Sequence, residues 1–261
     1  MPLQKKEEAG DWREQEIIWS AAMRAVEHDD AKELLSILSR HPFLKRRKGQ
    51  KEDKVDHDYL GDFSLFHLAA MDDKPACAMA LINDGWSIND PWRSVAGSLA
   101  FTPLSLAIKC KNLAMRSEIV EAMLAKAPRS VGEEARHWKL AMEAAGVMAA
   151  THAMEKIRTH LGENADHLWP DCLDRQGKSL WHSAAINGSI EMLDLLMGWP
   201  GMPAIADAKD RYGGSPAQLA KDLGNEDFLR KFNSRIFAWE ESVEIAGSMR
   251  ETARKKSARR I

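Results

Sequence analysis

The strongest constraint on what this chain can fold into is a heptapeptide written twice, Ser64-Leu-Phe-His67-Leu-Ala-Ala70 and Ser179-Leu-Trp-His182-Ser-Ala-Ala185. Looser copies stand at Thr102-Pro-Leu-Ser-Leu-Ala-Ile108 and Ser215-Pro-Ala-Gln-Leu-Ala-Lys221. Each copy opens on a hydroxyl residue suited to cap a helix, and Pro103 and Pro216 occupy the first helical position, where a missing N–H costs nothing. Gly188 and Gly224 supply a turn before a second helix, whose Ile190, Leu193, Leu196 and Met197 share one face. A helix pair this short cannot bury its apolar face alone. Stacking successive pairs does so, which predicts an all-α solenoid with nearest-neighbour contacts.

The same residues resemble the ankyrin repeats, whose pattern is a turn with Asp-x-x-Gly-x-Thr-Pro-Leu-His-x-Ala-Ala, then Gly-His and an apolar second helix. Asp174, Gly177, Ser179, His182, Ala184, Ala185, Gly188 and Glu191 match it, as do Asp210, Gly213, Ser215, Pro216, Leu219, Ala220 and Gly224. Gly85-Trp-Ser-Ile88-Asn89 is similar to the family's usual ending. The resemblance implies an ankyrin-like α-solenoid of about six stacked helix-turn-helix repeats with hairpin or loop fingers, and a role in protein binding without catalysis. It also implies that His67 and His182 bond between neighbouring turns.

The copies divide residues 1–261, read as one repeat domain, into an N-terminal capping repeat (12–42), a charged mobile insertion (43–60), repeats at 61–98 and 99–134, a degenerate fourth repeat (135–173), repeats at 174–209 and 210–235, and a C-terminal capping helix with a basic tail (236–261). Asp29-Asp30 stands where Gly-Asp is common. The fourth repeat has no motif of its own and is placed by spacing: Thr102 to Ser179 is 77 residues, about twice the 38 from Ser64 to Thr102. Ile236, Trp239, Val243 and Ala246 are spaced to cover the last repeat.

Sequence evidence for chemistry is thin. Lys plus Arg total 37 against 39 Asp plus Glu, so a polyanionic partner would need a local patch. The tail from Arg250 to Arg260 is such a patch, yet it lacks the interleaved aromatics of a nucleic-acid groove, which argues against direct nucleic-acid binding. Three separated cysteines suit a reducing compartment and form no metal set. No phosphate-binding glycine loop, nucleophile elbow or zinc-binding helix motif is present, so no catalytic residue, cofactor or metal is expected. The N-terminus resembles no secretory signal, and no segment approaches the ~18 consecutive apolar residues of a membrane span. A cytoplasmic protein, monomeric until it binds, is the expectation; a signal-independent export route would leave no trace.

The binding residues expected on the concave face and its fingers are Trp92 and Arg93 in one finger, Trp199, Arg211 and Tyr212 in another, and Met71, Lys109 and Asn187 on the inner helices. Arg175 and Trp169 complete the set. Nine tryptophans against two tyrosines draw attention to the loops, where exposed aromatic and Arg side chains are common anchors. The opposing expectation is that long loops fold back and bury these rings. Trp19, Trp181 and Trp239 read as core. The expected partner is a protein; an adaptor touching nucleic acid or anionic membrane through the basic tail is the alternative. Drifted repeats rich in Trp and Met look more bacterial than animal, which leaves an effector, a toxin-neutralising partner and a small regulatory adaptor all open.

Overall fold

The computed structural model describes residues 12–45, 63–72, 74–88, 90, 92–93, 100–109, 113–127 and 135–258, without the side chains of 12, 93, 100, 113–117, 171 and 250–258. Among these residues the chain forms helix pairs: α1 (Trp12–Glu27) with α2 (Ala31–Arg40), α3 (Leu65–Met71) with α4 (Pro75–Asn83), α5 (Pro103–Lys109) with α6 (Leu113–Lys126), α7 (Ala135–Val147) with α8 (Thr151–Leu161), α9 (Leu180–Asn187) with α10 (Ile190–Met197), and α11 (Pro216–Asp222) with α12 (Glu226–Ala258). A two-stranded antiparallel ribbon joins β1 (Trp92–Arg93) to β2 (Ala100–Phe101), with Trp92 opposite Phe101. The chain is an ankyrin-like, all-α repeat fold.

The residues cluster into two compact units. In the first, Met1–Ala145 with Glu155–Leu161, α1 packs on α3 and α3 on α5, while α2 packs on α4 and α4 on α6. First helices thus stack on first helices and second on second, as a solenoid requires. Lys156 on α8 reaches Glu121 on α6 at 2.7 Å. In the second unit, Gly146–Met154 with Gly162–Ile261, the same pattern joins α9 to α11 and α10 to α12.

In four of the pairs the turn between the helices fixes the register. Asp29, Ala149, Gly188 and Gly224 all take positive φ (54°, 48°, 61° and 73°) between the two helices. Asp29 therefore does stand in a glycine position, and Ala149 supplies the register of the fourth pair that the sequence left open. Counting back from these turns, and from the aligned motifs of the second and third pairs, puts an alanine at one equivalent position of every pair: Ala25, Ala69, Ala107, Ala145, Ala184 and Ala220, all buried. A small side chain there lets neighbouring first helices approach closely.

One element departs from expectation. The C-terminal segment is no separate capping helix, because α12 runs unbroken from Glu226 to Ala258. No proline interrupts it. Phe228 and Phe232 are buried, the latter against Trp181 at 5.6 Å, but beyond them Ile236 and Trp239 are only half-buried and Val243 and Ala246 are exposed. Most of the 43–60 insertion lies outside the described residues; Pro42–Lys45 forms a 3₁₀ turn, from which Lys45 pairs with Asp84 at 2.8 Å.

Candidate functional site

The fingers of the second unit are built by two aspartates in equivalent positions. Asp174 Oδ1 accepts the N–H groups of Gln176 and Lys178 (2.7 and 2.8 Å), and Asp210 Oδ1 accepts those of Tyr212 and Gly214 (both 2.9 Å). Each side chain closes its own turn, the local bonding that makes Asp a turn residue. Burial opposes ionisation of Asp210, but the N–H groups of Gly214 and Tyr212 and the charge of Lys178 outweigh it and hold the carboxyl below its usual value. The two turns are joined where Arg211 N–H donates to the Gln176 carbonyl at 2.8 Å.

Histidines clasp helix to finger. Ser179 N–H donates to His182 Nδ1 at 3.0 Å, so Nδ1 is the acceptor and Nε2 carries the proton that it donates to the Gly214 carbonyl at 3.1 Å. His67 does the same with Ser64 N–H (3.1 Å) and the Asp90 carbonyl (2.8 Å). The third copy lacks the histidine and caps itself reciprocally through Thr102 and Ser105.

The expected anchors separate sharply. Trp92, Trp169 and Trp199 are 3%, 0% and 2% exposed, which corrects their placement on a binding surface. Trp92 packs edge-on to Phe63 and His67 and lies 5.5 Å from Phe101 across the ribbon. Trp169 and Trp199 stack on each other at 4.2 Å. Asn187 is exposed yet already engaged, its amide donating to the carbonyls of Gly146, Val147 and Ser183. Trp86, a fourth loop ring, donates to Asp84. By contrast Arg175 and Arg211 are exposed, and Tyr212 is 80% exposed at the finger tip. Met71 and Lys109 are half-buried at equivalent ends of their first helices. Lys109 lies over the Phe101 ring at 4.9 Å, and burial pushes its ammonium below the usual value against the opposing pull of Glu143. The side chain of Arg93 lies outside the described residues.

Sequence reasoning missed a row of apolar side chains in the second unit. Val147 and Ile186 in the last turns of their first helices, and Met148 and Leu223 directly after theirs, are exposed, where the equivalent positions of the first unit carry Glu27, His28, Met71, Asp72 and Lys109. Neighbouring members are tied by the bonds from Asn187 to Val147 and from Asn225 to Ile186. The signal lay in aligning the copies on their turns, which needed the register of Ala149.

Reactive groups are scarce. Burial, with the charge of Asp29 beside it, pushes the Cys77 thiol up to about 12, and the thiol donates to the Ala25 carbonyl. A thiol held protonated is a poor nucleophile. Among the described residues no three His, Cys, Asp or Glu side chains are grouped to hold a metal. Nor is any described helix long and apolar enough to cross a membrane.

No protein-family model matches the sequence. No curated protein matches it either. Among solved structures, the crystal structure of an ankyrin repeat protein aligns with 84% of this chain and 96% of its own, at a TM-score of 0.55 and 18% sequence identity. At that identity the likeness establishes the fold.

Proposed function

We propose that the chain is a non-catalytic protein-interaction module that holds a protein partner on the exposed stripe of its first helices and on the tips of its fingers. The observation that carries this reading is the exposure of large side chains that repeat packing does not need: Tyr212 on a finger, and Val147, Ile186 and Leu223 at 49%, 41% and 55% along the helix ends. An apolar row of this kind costs solubility and returns nothing to the fold. The ankyrin-like architecture supports the reading by presenting one surface made of equivalent positions from successive repeats, although architecture alone licenses no particular target.

In the first unit Met71 and Lys109 occupy the equivalent positions of their own helix pairs and are proposed as weaker contacts. The test is capture of protein from a lysate by the purified chain and by the Tyr212→Ala, Ile186→Asp and Leu223→Asp variants. A specific partner lost by these folded variants supports the surface. Undiminished capture by all three removes it.

A second reading rests on α12, which carries Arg250, Arg254, Lys255 and Lys256 along its last turns. Contact with nucleic acid or anionic lipid through this end would fall steeply with salt and vanish from a chain ending at Ser248.

A further inference from the structure

We infer that the two adjacent finger tips of the second unit receive an acidic polypeptide segment, whose carboxylates are bound by Arg175 and Arg211 and whose apolar side chains lie against Leu173 and Tyr212. The inference rests on the interaction-module reading and names the chemistry of the partner.

Arg175 and Arg211 follow Asp174 and Asp210 directly, so the two guanidinium groups occupy the same place on successive turns. Each aspartate spends one oxygen on two backbone N–H groups of its own turn, and the acids of the tips thereby face inward. Their cationic neighbours face out. Among the described residues Arg175, Lys209 and Arg211 are exposed with no acid paired to them, and exposed Asp207 makes no ion pair with them. Lys178 adds positive charge, part of it directed at Asp210.

Arg211 is also held in place. Its N–H is bonded to Gln176, and its Cγ lies where a Cβ on Gly177 would come within 3.0 Å. Gly177 has φ +75° and no side chain, so the stem of Arg211 rests on the preceding turn. Ordering the stem before binding lowers the entropy lost on contact. Two planar forks one repeat apart suit carboxylates taken two-pronged.

The apolar neighbours decide between anions. Leu173 is 52% exposed, and with Tyr212 it offers hydrocarbon that a side chain of an acidic peptide can cover. A polynucleotide leaves Leu173 unmatched and needs a series of stacking rings that these tips lack.

The probe is a fluorescently labelled oligo-glutamate peptide containing leucine and phenylalanine, titrated with the full chain and followed by anisotropy. Binding is expected to weaken with salt and to fall by about ten-fold or more in R175A/R211A, about 1.4 kcal/mol or more, with the melting temperature unchanged. R175K/R211K should recover part of it, and a chain ending at Ser248 should bind like the full one. The inference is overturned if the peptide does not bind, if the double alanine variant binds it equally, if binding leaves with the tail, or if oligothymidylate of equal charge binds more tightly. A natural partner captured equally by wild type and R175A/R211A would remove this inference and leave the interaction module standing.

Discussion

His182 donates from Nε2 to the carbonyl of Gly214, 3.1 Å away in the next finger, while its Nδ1 accepts the N–H of Ser179. One buried ring thus closes the start of its own helix and fastens the following turn. Replacing it with alanine leaves the buried N–H of Ser179 without a partner, at a cost of about 1–3 kcal/mol, while the Gly214 carbonyl keeps the N–H of Asp210 at 2.9 Å. His182→Ala should therefore lose roughly 1–3 kcal/mol in urea unfolding.

Asp210 gives the second unit an acid-sensitive joint. Its folded carboxyl sits below its ordinary 3.8, so the folded state favours the charged form more than the unfolded chain does. The resulting stability is fully present above that ordinary value and is lost as pH falls through the lower folded value. Asp210→Asn should be less stable than wild type at neutral pH, and the gap should close as melts are taken from pH 5 downward through the carboxylate range. A gap independent of pH would mean that the charge on Asp210 contributes nothing.

Sequence alone revealed what is made locally. Ser179, His182, Ala184 and Gly188 act within one helix pair or against its neighbour, and each carries its physical requirement in its residue type. The tryptophans do not. Trp169 is buried by Trp199, 30 positions away, and Trp92 by Phe63 and Phe101, so their fate depended on which loops fold over which. The fourth pair was hidden because Leu140 replaces the capping serine and Ala149 replaces the turn glycine, leaving Ala145 as its surviving landmark. At α12, the spacing of Ile236, Trp239, Val243 and Ala246 suggested a covering face, whereas the helix runs on past the last repeat and leaves Val243 and Ala246 exposed.

Ala149 offers a gain of stability. Its φ of 48° costs an alanine about 1–2 kcal/mol that glycine avoids. Glycine's freedom in the unfolded chain returns about 0.4–1 kcal/mol of that. Ala149→Gly should consequently raise stability by about 0.5–1 kcal/mol. Gly188→Ala should do the reverse and more, since its Cβ would also meet the Asn225 side chain at 3.1 Å. Melting temperatures moving in the same direction for both variants would contradict this account of the turn.

Two aromatic residues of the connection between α10 and α11 should respond to alanine in opposite ways. Trp199 is stacked on Trp169 and sealed from solvent, so removing it leaves a large cavity at a cost of about 3–5 kcal/mol. Tyr212 is 80% exposed, and among the described residues no contact of its ring is needed to hold the finger, whose turn is closed by the backbone and Asp210. Tyr212→Ala should then stay within about 0.5 kcal/mol of wild type. Thermal unfolding and partner capture measured on both variants separate the roles. Trp199→Ala should lose both together, with capture failing only as the unfolded fraction grows, whereas Tyr212→Ala should lose capture at full stability. A stable Trp199→Ala variant that no longer captures the partner would return that ring to the binding surface, because a side chain that packing can spare has no reason to be buried.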